Sequence, residues 1–295
     1  MNEAQPFSFL RTNRRGTKPR SRGVTEIRGP YYTVTGRRYL EDLFEGFGRH
    51  VDILKFAGGS FTLMPPDALA RIIDVCHAHD VKVSTGGFIE YVLTQGEQAV
   101  DRYLKACKVA GFDIVEISTG FITMPVEDIV RLTEKVQEEG LLAKPEVGIQ
   151  FGAGGATSAE ELEVEGTSDP GQAIEIARRC LEAGAYMIMI ESEGITENVR
   201  DSHPTKSKDF VGTPGWRTDV VARIISEVGT DRVMFEAADP EVFAWYVKNY
   251  GPEVNLFVDH SQIVQLECLR AGIWGTASLW GRVLTYRPAG NPDRG

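Results

Sequence analysis

The chain has 295 residues, 42% of them apolar and 25% charged, the proportions of a globular protein with room for one large α/β core. These figures exclude a mainly disordered chain, a collagenous one or a small disulfide scaffold, and no apolar run approaches the roughly 18 residues of a membrane span. The net charge of −10 argues against nucleic acid as the main partner, and no membrane partner is expected.

The charge is uneven. Residues 1–22 hold Arg11, Arg14, Arg15, Lys18, Arg20 and Arg22 against a single acid, Glu3, so they carry +5 and the remainder −15. With few large apolar residues and no periodicity, this stretch predicts a flexible, disordered basic tail. Its Arg-rich, nearly acid-free composition also fits a cleaved organellar leader.

From Gly23 onward a strand-then-helix unit recurs. The apolar runs are Val24–Arg28, Val51–Phe56, Val81–Thr85, Asp113–Ser118, Ala143–Phe151, Ala185–Glu191, Arg232–Glu236 and Val254–Asp259. Helix starts are marked by Pro66-Asp67, Met124-Pro125, Asp169-Pro170, Asp239-Pro240 and Ser261. Glycines at 111, 140, 184, 229 and 251 sit where a helix closes with positive φ. Eight such units predict parallel pairing and a single closed (β/α)8 TIM barrel over 23–295, with a C-terminal extension from about residue 273. No glycine-rich dinucleotide fingerprint follows the first strand, which weighs against an open doubly wound sheet. Two connections, 152–168 and 192–215, are long and lie on the strand-to-helix side; they fit lids or substrate clamps, or ordinary surface insertions. Cys76, Cys107, Cys180 and Cys268 are scattered singly without metal-ligand spacing, which reads as reduced core thiols in a cytoplasmic protein.

Strand side chains alternate faces, so parity predicts which charges enter the barrel. Leu54 and Phe56 suit the helix side, placing Lys55 inside; Val115 and Ile117 place Glu116 and Ser118 inside. By the same rule Glu146, Gly148 and Gln150 face inward, as do Glu191, Glu236, Asn255 and Asp259. Five acids, Glu116, Glu146, Glu191, Glu236 and Asp259, would then crowd the C-terminal mouth with Lys55 and Arg28. Carboxylates gathered in a small cavity repel one another and take up protons unless a cation neutralises them. Hard oxygen ligands suit Mg2+, and Glu116, Glu146, Glu191 and Asp259 are the expected ligands. The cations beside them suit a phosphate or carboxylate. The competing reading is a polar plug of internal ion pairs, although such pairs confer little net stability. The Thr85-Gly86-Gly87 turn offers backbone N–H groups to an anion. His260 follows the last strand directly, where it either binds substrate or caps the next helix with Ser261. His77 and His79 are two residues apart on a helix and do not share a face.

Several of these segments carry a family resemblance. Asp52–Ser60 (DILKFAGGS), Val83–Glu90 (VSTGGFIE), Gly111–Ser118 (GFDIVEIS), Phe235–Ala237 (FEA) and Val254–Arg270 (VNLFVDHSQIVQLECLR) resemble the phosphosulfolactate synthase family of coenzyme M biosynthesis. The opening VTEIRGPYYT and the stretch VNLFVDHSQI bring the chain nearest to the plant heat-stress-associated branch. The resemblance implies a (β/α)8 lyase that adds sulfite to phosphoenolpyruvate with Mg2+, giving (2R)-phospho-3-sulfolactate. It assigns Lys55 to polarising the carboxylate or supplying the proton, and Glu116, Glu146 and Glu236 to metal binding or acid–base work. Glu90 would orient a loop, and Asn255 matches the strand-eight asparagine. With Arg28, Gly86, Gly87 and His260, these two complete the expected substrate-binding set.

The chain also departs from the family pattern. Ala57-Gly58-Gly59-Ser60 lacks the tryptophan found between the glycines of the classical synthases, and Trp274 stands where they carry an arginine. Loss of a guanidinium removes a rigid bidentate phosphate donor. The alternative is therefore a divergent member without this activity, acting in stress tolerance or as an interaction protein; fold does not establish chemistry. An aldolase-like enolate enzyme would need a Schiff-base lysine, for which Lys55 is the placed residue. The apolar segment Ile273–Leu284 and the family habit predict a homo-oligomer.

Overall fold

The computed structural model describes residues 7–10, 12–149, 169–197, 199, 215–237 and 239–274. Every apolar run from Gly23 supplies a strand: β1 (Thr25–Arg28), β2 (Ile53–Lys55), β3 (Lys82–Ser84), β4 (Ile114–Ile117), β5 (Leu142–Val147), β6 (Ile188–Ile190), β7 (Val233–Glu236) and β8 (Asn255–Asp259). They pair in sequence order, all parallel, and β8 closes on β1 with Arg28 opposite Asp259. The helices between them are α1 (Arg37–Phe47), α2 (Pro66–Ala78), α3 (Ile89–Leu93), α4 (Glu97–Ala110), α5 (Val126–Glu138), α6 (Gly171–Glu182), α7 (Thr218–Val228), α8 (Pro240–Tyr250) and α9 (Ile263–Ala271). This is the (β/α)8 barrel that the repeat predicts.

Local chemistry sets the element ends. Pro66 and Pro240 open α2 and α8, where a missing N–H costs nothing. Gly111 closes α4 at φ 96°, a conformation open to glycine. β5 ends at Val147, before the expected Phe151, and residues 150–151 lie outside the described part. β6 is regular only from Ile188, although Tyr186 N already donates to Ala143 O at 2.8 Å.

Alternation divides the core into two shells. Ile27, Leu54, Val83, Val115, Ile188, Phe235 and Leu256 face the helices within one continuous cluster. Val24, Ile53, Ile114, Met187, Met189, Met234 and Phe257 form a second cluster inside the barrel. Burying one such side chain contributes about 1.5–3 kcal/mol, so the two shells together carry most of the driving force for folding. Towards the C-terminal ends of the strands the inward positions turn from apolar to charged.

The basic opening is not a free tail over residues 12–22. Asn13 N donates to Ala271 O at 2.9 Å, and its side-chain amide to Arg270 O at 3.1 Å. Arg15 bonds Thr25 Oγ1 at 3.0 Å and pairs with Glu267 at 2.7 Å; Arg20 pairs with Asp52 at 2.7 Å; Lys18 donates to His79 O at 2.9 Å. The stretch is a strap across the N-terminal face of the barrel. Composition suggested disorder because its partners, Asp52 and Glu267, lie far away in sequence.

Cys76, Cys107 and Cys180 are buried free thiols, and burial pushes Cys76 and Cys107 up to about 12, which leaves them unreactive. Among the described residues no helix is long and apolar enough to cross a membrane. The long connection 152–168 and most of 192–215 lie outside the described residues, as does the C-terminal extension beyond Trp274.

Candidate active site

The C-terminal mouth opens into a cavity of about 700 Å³, lined by Arg28, Lys55, Glu116, Glu146, Glu191 and Glu236 on its floor. Tyr31, Tyr32, Phe88, Tyr91, Phe121 and Phe257 form its walls. Each floor residue stands on, or directly after, a different strand end, with the inward parity that the sequence predicts. A closed parallel barrel delivers side chains far apart in sequence to one point in this way.

The floor has two halves. On one side, Lys55 Nζ lies 2.7 Å from Glu116 Oε1 and 3.6 Å from Glu146 Oε1, and 4.3 Å above the centre of the Phe257 ring. Burial works against the Lys55 ammonium, but Glu116, Glu146, Glu26 and Glu236 outweigh it and hold its pKa well above the ordinary lysine value. Lys55 is therefore a fixed cation at neutral pH. Burial likewise disfavours the Glu116 carboxylate, yet Lys144 and Lys55 overcome this and keep it ionised.

On the other side, Glu146, Glu191 and Glu236 each present a carboxylate oxygen, all within 4.8 Å of one another. Burial, then Glu116, pushes Glu146 up to about 7 despite Lys55. Burial, then Glu236 and Glu146, raises Glu191 well above the ordinary carboxylate value. Arg28 Nη2 binds Glu236 Oε1 at 2.8 Å, while its guanidinium carbon lies 5.0 Å from the ring centres of both Tyr32 and Phe257. Among the described residues on the inward face of the strands and their ends, five carboxylates, counting Glu26 and leaving out Asp259 in its turn, face three cations, Lys55, Lys144 and Arg28. Two negative charges remain, and protonation or one divalent ion would balance them. The three oxygens fit a hard cation such as Mg2+ that keeps part of its water shell.

The expected ligand set is redrawn by this geometry. Glu116 is taken up by two lysines, one on each oxygen, and stands outside the three-carboxylate group. Asp259 also stands outside it: Oδ1 accepts from Ser261 N at 2.9 Å and Ser261 Oγ at 2.6 Å, capping the turn after β8. Glu236 takes its place beside Glu146 and Glu191.

Among the expected substrate-binding residues, Arg28, Gly87 and Glu90 line the cavity. The Glu90 carboxylate is fully occupied, accepting from Ser118 Oγ and from the N–H groups of Gly120, Phe121 and Ile122 at 3.0, 2.7 and 3.2 Å. It therefore shapes the loop after β4. Gly86, at φ 61°, is pressed against Phe56 O, which a Cβ would approach to 2.4 Å, so its role is loop packing. Asn255 belongs to the opposite end of the barrel: Oδ1 accepts from Val24 N at 2.9 Å, and Nδ2 donates to Thr230 O and Val233 O at 3.0 Å. A first strand residue lies at the N-terminal face, so this asparagine does not reach the mouth. His260 bonds Tyr39 OH at 2.6 Å and Thr33 Oγ1 at 3.1 Å, fastening the β1–α1 loop outside the cavity.

Two interior residues escaped the sequence reading, Glu26 and Lys144. Both were accessible to parity: Glu26 shares the face of Arg28, and Lys144 that of Glu146. Of the aromatic walls, Tyr31, Tyr32 and Phe121 sit on loops and have no periodic signal, whereas Phe257 shares the inward face of Asn255 and Asp259 on β8.

Comparison with known proteins matches these features to a family. Residues 13–276 match the family model described as (2R)-phospho-3-sulfolactate synthase (ComA). The chain is 38% identical over 273 residues to Protein HEAT-STRESS-ASSOCIATED 32 of Arabidopsis thaliana, covering 89% of this chain and 91% of that protein. It is 26% identical over 270 residues to phosphosulfolactate synthase of Methanothermobacter thermautotrophicus, covering 91% and 96%. Among solved structures, a putative phosphonomutase from Burkholderia cenocepacia J2315 aligns with a TM-score of 0.50 at 14% identity, over 83% of this chain and 90% of that one, a likeness of fold alone. With the match spanning the strap, all eight strands and every floor residue, the chain belongs to the (2R)-phospho-3-sulfolactate synthase (ComA) family.

Proposed function

We propose that the protein is a Mg2+-dependent lyase that joins sulfite to phosphoenolpyruvate, giving (2R)-phospho-3-sulfolactate. The observation that carries this reading is the floor of the mouth, where a fixed lysine cation stands beside three carboxylates with uncompensated charge. Glu146, Glu191 and Glu236 would hold the ion. Bound there, Mg2+ supplies positive charge for an enolate-like carboxylate. Sulfite forms its carbon–sulfur bond at the methylene carbon, and electron density moves into the carboxylate. Lys55 faces that developing charge with a permanent ammonium, and the neighbouring carbon takes up the proton that the nucleophile brings as hydrogen sulfite. Arg28, held between Tyr32 and Phe257, supplies a charge-assisted donor to an anionic substrate group. Phe257, Phe88 and Tyr91 keep bulk water from the reacting carbons.

The test is incubation of the purified protein with phosphoenolpyruvate, sulfite and Mg2+, with mass-spectrometric detection of the sulfonated product. The expected result is turnover that disappears in Lys55→Ala and Glu116→Gln while the far-ultraviolet spectrum is kept. No product, together with no thermal shift from Mg2+ or either reactant, would overturn the reading.

A second reading has its own support: the chain is 38% identical to a plant protein named for heat stress and 26% identical to a named synthase. Under it the barrel is a scaffold for stress tolerance or for an interaction, and the same assay gives neither product nor shift.

A further inference from the structure

We propose that Lys144 is a positioning residue, which fixes the plane of Glu116 and through it the place of Lys55. The inference rests on the reading of Lys55 as the group that faces substrate. Lys144 stands on the inward face of β5, wholly buried, and touches no part of the cavity. Its Nζ contacts Glu26 Oε2 on β1 and lies 2.9 Å from Glu116 Oε2 on β4. Glu116 gives its other oxygen, Oε1, to Lys55 at 2.7 Å. A carboxylate is flat, so a cation fixed on Oε2 decides the direction in which Oε1 meets its own partner.

The consequence for Lys55 is geometric. Its ammonium has two acidic neighbours, Glu116 at 2.7 Å and Glu146 at 3.6 Å. With Glu116 held from behind, Lys55 stays on the Glu116 side, and Glu146 remains turned towards Glu191 and Glu236. Released from Lys144, Glu116 can rotate, and Lys55 is free to settle on Glu146 and intrude on the three-carboxylate group. Positioning of this kind from behind a reacting group commonly decides activity.

Filling space does not explain the pair. The same interior is packed elsewhere by Met187, Met189 and Met234, so the barrel has an apolar way to occupy this volume. A buried ion pair is no more stable than such a filling. Lys144→Met is also the substitution that those neighbours accommodate.

The test compares Lys144→Met with the double variant Glu26→Gln/Lys144→Met in the full-length protein. Glu26→Gln removes the charge that Lys144→Met would leave unpaired, so the double variant stays testable where the single one folds poorly. Two readouts are used: steady-state kinetics with phosphoenolpyruvate and sulfite, and 15N NMR of lysine ammonium groups, with the slowly exchanging Lys55 signal assigned by its loss in Lys55→Met. In both variants kcat is expected to fall at least about tenfold with KM nearly unchanged, and the Lys55 ammonium signal to broaden or move. Recovery of wild-type kcat and of the Lys55 signal in the double variant would overturn the proposal, leaving Lys144 as a mere counter-charge for Glu26. If the wild type makes no product, the lyase reading fails by itself, and the Lys55 signal alone decides: unchanged in the double variant, it overturns the positioning role; displaced, it supports it.

Discussion

Raising the pH across neutrality should weaken the metal-free fold, and the cause is Glu146. An unfolded glutamate loses its proton near 4.5, whereas in the folded barrel Glu146 keeps it until about 7. Below the lower value both states are protonated and the advantage of the folded state is fully present. Between the two values only the folded state still binds the proton, so stability is lost as pH climbs. At 1.36 kcal/mol per pH unit the interval corresponds to roughly 3 kcal/mol, a large share of the 5–15 kcal/mol that holds a typical domain together. Glu191, also raised, adds in the same direction. Glu116 and Glu267, both lowered, give up their contribution only below the ordinary carboxylate range and stay constant here. Urea denaturation followed by circular dichroism between about pH 5.5 and 8 measures the slope, with and without excess Mg2+. The expected result is a decline without metal that disappears with it, because the ion takes over the proton's task. In Glu146→Gln the metal-free decline should shrink markedly. Metal-free stability that is level or rises over this interval, or a Glu146→Gln slope equal to the wild type, would refute the reasoning.

Lys55→Met removes the cation between Glu116 and Glu146, and urea titration should show a loss of roughly 3 kcal/mol at neutral pH together with loss of turnover. Glu90→Gln replaces a carboxylate that accepts four hydrogen bonds from the loop after β4. Hydrogen exchange at Gly120, Phe121 and Ile122 should quicken by about 10- to 100-fold while the strands stay protected. Arg15→Ala strips Glu267 and Thr25 of a buried partner. Glu267 keeps His50 and Arg270, so stability should fall by about 1–3 kcal/mol, and limited proteolysis should cut within residues 12–22.

Parity carried most of the site. Glu116, Glu146, Glu191 and Glu236 face the cavity as alternation predicts, because a strand has only two faces and a hydrophobic neighbour such as Val115 or Phe235 claims one of them. The same rule misled at Asn255 and Asp259, because it gives the face of a strand and not the depth. Asn255 begins β8 and Asp259 ends it, so one is spent on the backbone of the N-terminal face and the other on a turn. Grouping of the carboxylates was beyond sequence altogether. Whether Glu116 joins Glu146 or turns to Lys144 depends on the stagger between β4 and β5, which sets Glu116 opposite Lys144. The strap is illegible in the sequence for a related reason: a run of arginines reads as solvated until the acids that meet it are located.

The strap has a consequence for how the molecule is made. Asn13 and Arg15 leave the ribosome some 250 residues ahead of Ala271 O, Arg270 O and Glu267, three of the groups that receive them. Until α9 emerges, the guanidinium of Arg15 has no buried acid to meet, and the leading segment must wait in water. Docking of that segment is therefore a late step of maturation, and a nascent chain interrupted before α9 would keep an open underside for chaperones to hold.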